Sequence, residues 1–461
     1  MLPFLAAVAQ RQAARPARAA EVDPRILAVM REVSPARIRT TIEKLAGFRT
    51  RHTLSAADPA SIRAGRGIGA AREWIRSEFE RYSQACRGCL EVEMQSFVAE
   101  PAERIPKPAE IVNVVATLRG TDPANAGRIY VVTGHYDSRA SDPMDATSPA
   151  PGANDDASGT AVSLECARVL SQYKFPATIV FLAVAGEEQG LYGSRYFAKT
   201  AKSKGWNVEG VLNNDIVGGD KNRLQESAWV RVFSEGVPIA AGEAELRAIR
   251  AAGGENDSPS RQLARYVRDV AKRYFPQLAA QAAGGRSAQP FQAKLLLRRD
   301  RYLRGGDHTP FNEQGYAAVR FTEYREDYGH QHQNPRTEGG IEYGDMLKFV
   351  DFEYVANVAR LNASVLALLA SAPAPPANVR LDVRRLENDS TIRWDPSPGG
   401  LAVRYEVLWR PTTAAEWENV EAVGNATQAT IRRSKDNVVF AVRAVEKRGR
   451  RSLPVVPVPE R

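Results

Sequence analysis

Unbroken apolar runs dominate the middle of the chain. Residues 178–184 read Thr-Ile-Val-Phe-Leu-Ala-Val with no polar alternation, the pattern of a strand covered on both faces. Residues 208–212 and 230–233 look similar, and shorter strand-like runs fall at 91–98, 111–118, 128–133 and 318–322. Between them lie apolar residues at helical spacing. Residues 23–82 read mainly as helices, one opening at Ser34-Pro35 and one over 62–82 carrying Trp74, Ile75 and Phe79. Further helices are expected over 158–173, over 258–274 after a Ser-Pro start, and over 345–369 as a long closing helix. Strands alternating with helices predict an α/β fold, a mostly parallel central sheet sandwiched by helices. Ligands of such sheets gather outside the carboxyl ends of the strands.

The pattern changes after Ala372-Pro373-Ala374-Pro375-Pro376-Ala377, a stiff, extended linker. Short strands with turn signals between them follow at 379–383, 390–394, 405–409, 416–423, 428–431 and 438–445. This is the pattern of an all-β, immunoglobulin-like sandwich. Trp394, the run Tyr405-Glu406-Val407-Leu408-Trp409 and the run 440–445 resemble a fibronectin type III domain. The expected organisation is therefore a tail or signal peptide at 1–20, a first domain at 21–371, the linker at 372–377 and the sandwich at 378–461.

Composition adds little to this: 43% of the 461 residues are hydrophobic and 25% charged, close to the globular average. No stretch reads as long and clean enough to span a bilayer. The net charge of +9 is modest for the length, and with no long basic block or RNA-binding signature nucleic acid is not an expected partner. Of three cysteines, Cys86 and Cys89 form a C-x-x-C without the second pair a zinc ribbon needs. A small disulfide formed outside the cytosol is the preferred reading and free thiols the alternative; Cys166 falls in an apolar helical pattern and reads as core.

The candidate chemistry sits just past the strand-like runs. His135 and Asp137 follow 128–133, Glu187 and Glu188 follow 178–185, Asp215 follows 208–212, and Asn154-Asp155-Asp156-Ala157-Ser158-Gly159 lies between them. Imidazoles and carboxylates delivered repeatedly at strand ends are what a paired metal site needs. Catalytic zinc takes nitrogen and carboxylate oxygen and keeps one position open. Two zincs about 3.5–4 Å apart can share one carboxylate and one water. Carboxylates from Asp155, Glu188 and Asp215 nearly offset two divalent cations, and the residual positive charge favours hydroxide near neutral pH.

His135-Tyr136-Asp137-Ser138, Asn154 to Gly159, Gly186-Glu187-Glu188-Gln189-Gly190, Asn214-Asp215 and the segment Tyr328-Gly329-His330-Gln331-His332-Gln333-Asn334 resemble, in order, the motifs of the co-catalytic dizinc aminopeptidases, bacterial leucyl aminopeptidases among them. The resemblance covers about residues 40–370. It implies two Zn2+ ions bridged by Asp155, one completed by His135 and Asp215, the other by Glu188 and a late histidine. It also implies Glu187 as general base to a metal-bridging hydroxide, Asp137 orienting His135, and a cis peptide after Asp155. His330 with Asn334 fits the family's histidine followed by aspartate four places on, with Asn replacing Asp; His332 is the alternative. His308 reads as part of the site wall, His52 as solvated, and Asp156 as either a helix cap or a support to the ligands.

The reading is a secreted or periplasmic metallopeptidase, an aminopeptidase acting on peptides or proteins, with a C-terminal domain that binds a surface or partner or merely spaces the enzyme. The export expectation rests on Ala7-Val8-Ala9 and Ala17-Arg18-Ala19, small-x-small patterns, and on the resemblance. Rivals are a carboxypeptidase or dipeptidase on the same scaffold, with Arg261, Arg298, Arg299 and Arg301 as a conceivable carboxylate clamp; a one-zinc glutaminyl cyclase-like transferase; and an inactive binding protein. A Gly-x-Ser-x-Gly elbow is missing, which leaves a serine hydrolase without support.

Overall fold

The computed structural model describes residues 22–222, 224–282 and 290–460. The 1–20 segment and residues 283–289 of the 238–299 insertion lie outside the described residues. The chain opens with helices α1 (Pro24–Glu32), α2 (Pro35–Ala46), α3 (Pro59–Arg63) and α4 (Gly67–Ala85). Then come β1 (Leu90–Ala99), β2 (Ala109–Leu118), β3 (Arg128–His135), α5 (Ala157–Leu170), β4 (Thr178–Val184), α6 (Tyr192–Ser203), β5 (Asn207–Asn214) and β6 (Trp229–Ser234). After α7 (Glu243–Ala251) and α8 (Pro259–Ala282) follow β7 (Gln292–Leu296), α9 (His308–Glu313), β8 (Ala318–Glu323), the hairpin β9 (Arg336–Glu338) and β10 (Ile341–Tyr343), and α10 (Phe352–Ser371).

The eight-stranded sheet has the order β1-β2-β4-β3-β5-β8-β6-β7. Its centre, β4-β3-β5-β8, is parallel. β2 runs antiparallel between β1 and β4, and β6 antiparallel beside β8. Every residue of β4 is buried, as its unbroken apolar run requires, because helices cover both faces. The parallel strands carry the chain to one edge of the sheet, and the candidate residues lie just beyond it.

Two expected helices differ. The 62–82 pattern is cut into α3 and α4, because Gly65 turns the chain at φ +65°, a conformation glycine adopts without a Cβ clash. The closing helix starts at Phe352, not near 345. Asp351 caps it, accepting from the backbone N–H of Glu353 (3.0 Å) and Tyr354 (3.2 Å). Contrary to the reading of the sequence, α10 is long and apolar enough to cross a bilayer. Its apolar residues are instead buried against α1, α2, α5 and α8, so the same composition serves a protein core.

Beyond it, β11 (Ala377–Asp382), β12 (Ser390–Asp395), β13 (Arg404–Pro411), β14 (Asn419–Gly424), β15 (Gln428–Ile431), β16 (Val438–Val445) and β17 (Val458–Glu460) form two sheets, β15-β12-β11-β17 and β14-β13-β16. Trp394, Tyr405, Val407, Phe440 and Val442 fill the space between them. β17 was not expected; it pairs in parallel with β11. The Pro-rich connection is tied down, since the Arg128 guanidinium donates to the carbonyls of Ala372 (2.8 Å) and Pro373 (3.3 Å). The sandwich itself is docked on α8. Arg410 holds Asp257 through both oxygens (2.7 and 2.9 Å), Arg265 shares that carboxylate (2.9 Å), and the Trp417 indole donates to Gln262 (3.0 Å).

Candidate metal centre

Five segments meet at the carboxyl edge of the sheet. β3 ends on His135, the turn before α5 carries Asp155, and Glu187-Glu188 follow β4. Asp215 follows β5, and His332 lies in the loop after β8. Ligand-type atoms of His135, Glu187 and Asp215 lie within 4.8 Å of one another, and so do those of Asp155, Glu188 and His332. Asp155 joins the two groups: its Oδ1 lies 3.1 Å from His135 Nε2 and its Oδ2 2.9 Å from His332 Nε2. His332 Nε2 is also 3.1 Å from Glu188 Oε1.

The supports of these side chains come from far along the chain. Asp137 lies 3.4 Å from His135 Nδ1 and accepts from the backbone N–H of Glu187 (3.4 Å) and Glu188 (3.2 Å), so one carboxylate orients the imidazole and the Glu-Glu turn together. Asp156 is both of the things read for it. It caps α5 by accepting from Gly159 N–H (2.8 Å), and it also accepts from the N–H of His135 (3.0 Å) and Ile216 (3.3 Å). A Cβ on Gly159 would meet the Asn214 carbonyl at 2.1 Å; only glycine lets α5 start this close to β5. The peptide bond between Asp155 and Asp156 is cis.

Three supports were missed in the sequence. Asp345 accepts from the N–H of Asn154 and Asp155, both at 2.7 Å. Arg51, fully buried, donates to the carbonyls of Tyr136 (2.7 Å), Pro151 (2.6 Å) and Gly152 (2.9 Å). Arg320 reaches Asp215 Oδ1 at 2.8 Å. Of these, only Arg320 left a trace, as a charged residue inside the apolar run 318–322.

The expectation for His330 is corrected. Its Nδ1 is hydrogen-bonded to Asp220 Oδ2 at 2.5 Å, and its ring stacks on Phe349 with centroids 3.6 Å apart. His332 occupies the place expected of it, because the backbone at His332 turns left-handed, φ +54°. Asn334 pairs with Ser141 (2.7 Å) instead of supporting a histidine. His308 is buried away from the donor groups, next to the Arg299 carbonyl (2.9 Å), where burial pushes its pKa down to about 4. His52, expected to be solvated, is fully buried; its Nδ1 accepts from Leu54 N–H (3.1 Å) and its Nε2 faces the Pro143 carbonyl (2.9 Å).

The donor set fits a metal. His135 Nε2 and Glu188 Oε1 are buried without a hydrogen-bond partner, although each has an opposite-type atom 3.1 Å away. Lone pairs that approach one another without hydrogen-bond alignment converge on a common point, as ligands do. Crowded buried carboxylates are also costly without nearby cations. Burial raises the Glu187 carboxyl well above the usual range, with Asp215, Glu188 and Asp307 adding to it and His135 opposing. Burial alone would lower the His332 pKa, but Glu188 and Asp155 push it up to about 10.

Comparison with known proteins agrees with this geometry. Residues 113–338 match the sequence profile of Peptidase family M28. A "Probable zinc metalloprotease" of Pyrenophora teres f. teres is 46% identical over 95% of this chain and 87% of its own. Another, of Leptosphaeria maculans, is 45% identical over 94% of this chain and 97% of its own. The crystal structure of LapB from Legionella pneumophila shares the fold, with a TM-score of 0.50 at 19% identity over 75% of this chain and 74% of that one.

Proposed function

The chain belongs to peptidase family M28 and is a zinc metallopeptidase, and we propose that it is an exopeptidase of the aminopeptidase type working with two zinc ions. The observation that carries the two-ion reading is that the two oxygens of Asp155 face two different imidazoles, His135 at 3.1 Å and His332 at 2.9 Å. In this reading His135 and Asp215 would hold one ion, Glu188 and His332 the other, and Asp155 would serve both. Bound zinc supplies Lewis-acid polarisation of the scissile carbonyl and lowers the pKa of water. Glu187 takes the proton of the attacking water and returns it to the leaving amine. Its position in the cavity wall beside the donor groups supports the role. Asp137, by fixing both His135 and the Glu-Glu turn, keeps base and ligand in register.

Export from the cytosol is part of the proposal, supported by the Cys86–Cys89 disulfide. So is a fibronectin type III-like identity for the C-terminal sandwich, supported by Trp394 packed beside Tyr405 between the sheets. A carboxypeptidase or dipeptidase is the second reading, favoured by four arginines on the cavity wall. Metal analysis paired with a panel of aminoacyl amides and N-acetylated peptides tests the assignment. We expect two zincs per chain and chelator-sensitive release of N-terminal residues. Cleavage confined to N-acetylated peptides with a free C-terminus would transfer the assignment to the second reading, and full turnover with one zinc would remove the second ion.

A further inference from the structure

The cavity over the donor groups has a volume of about 330 Å³, within the range of small-ligand pockets. Leu191 and Ile216 are the only apolar side chains larger than glycine on its lining among the described residues; Arg104, Arg139, Arg301 and Arg304 also line it. The arginines enter from two sides. Arg104 donates to the Glu188 carbonyl (2.9 Å) and makes no ion pair among the described residues. Arg139 has Glu188 as its nearest carboxylate, at 3.9 Å. On the other side Arg301 is held by Asp300 (3.1 Å) and Glu326 (2.9 Å), and Arg304 shares Glu326 (3.1 Å).

In the two-ion reading the charges do not cancel. Four guanidinium groups line the cavity together with the carboxylates of Asp155, Glu187, Glu188 and Asp215. In the two-ion reading, the carboxylates that hold divalent cations are already matched, and Arg139 loses its nearest partner. Behind Arg301 and Arg304 the added charges balance, Arg231 and Arg320 against Asp300 and Glu326, so the excess is that of the lining itself. A lining of this kind desolvates an apolar side chain poorly. It suits an anion, above all the planar carboxylate that guanidinium binds through two parallel hydrogen bonds.

Resting on the metallopeptidase reading above, we propose that this pocket selects substrates carrying a carboxylate beside the scissile bond, recognised by Arg104 and Arg139 on one side and by Arg304 on the other. Arg301, pinned by its acids, sets the local positive potential. The carboxylate has two chemical sources, an acidic N-terminal side chain or the C-terminal α-carboxylate of a short peptide.

The test uses the zinc-loaded full chain. One arm compares kcat/KM for glutamyl and leucyl 4-nitroanilides, a second compares N-acetyl-Ala-Ala with its C-terminal amide, and a third measures binding of glutamate hydroxamate against leucine hydroxamate by calorimetry. The carboxylate-bearing member should win by about tenfold or more either in the nitroanilide and hydroxamate arms together, which identifies an acidic N-terminal side chain, or in the N-acetyl-Ala-Ala arm, which identifies the C-terminal carboxylate. The preference should weaken as salt rises and fall about tenfold in the double variant Arg104→Gln, Arg139→Gln. Leucine hydroxamate binding as tightly as glutamate hydroxamate, together with no preference of N-acetyl-Ala-Ala over its amide, would overturn the proposal even if leucyl nitroanilide is turned over well. Glutamate hydroxamate preference without hydrolysis of any substrate would sustain it and sink the exopeptidase assignment instead.

Discussion

His330 and His332 stand two residues apart on one loop, and both face carboxylates. His330 meets Asp220 at 2.5 Å with hydrogen-bond alignment and lies against Phe349, with Asp327 4.0 Å away. His332 meets Asp155 and Glu188 at 2.9 and 3.1 Å, yet Glu188 Oε1 has no hydrogen-bond partner. Both clusters bring three ligand-type residues within 4.8 Å. The difference teaches that proximity does not make a metal site. In one cluster a hydrogen bond already satisfies the pair; in the other Glu188 Oε1, with His135 Nε2 beside it across Asp155, is left without one. The first cluster is a fastening that holds the loop carrying the second.

The comparison can be broken most sharply at His332. His332→Ala should lose about a thousandfold in kcat/KM and drop the zinc content from two per chain to one; two zincs retained would erase the distinction between the histidines. Glu187→Gln separates holding the ion from moving the proton. Turnover should fall by about a hundredfold or more with both zincs still bound, read by activity and metal analysis on the same sample. His330→Gln should weaken retention of one zinc about tenfold against a competing chelator, with a much smaller effect on kcat at saturating zinc. A loss equal to that of His332→Ala would make His330 a ligand after all. Asp327→Asn is the mildest, about 0.5 kcal/mol or less in denaturant unfolding, because Asp327 is partly exposed and lies at the limit of contact with His330.

The fold was legible wherever burial wrote it into composition. The run 178–184 is β4 to the residue, and the strand ends deliver His135, Glu187, Glu188 and Asp215 as read. What stayed hidden depends on backbone turns and on partners distant in the chain. Counting along the loop favoured His330; the left-handed backbone at His332 decided otherwise, and no residue type announces it there. Arg51 acts through carbonyls 85 to 101 residues away, and Asp345 through amides 190 and 191 away, so neither had a local signature. The arginine in β8 was the one visible exception, a charge in conflict with its apolar surroundings, though only the structure shows that it reaches Asp215.

The buried junction between Arg410, Arg265 and Asp257 also bears on how the molecule is aimed. Prying the sandwich off α8 would strand charges that have already given up their water, a costly step. The appended sheets therefore act less like a tether than like a mounting bracket. The mouth of the cavity keeps one set angle to the sandwich.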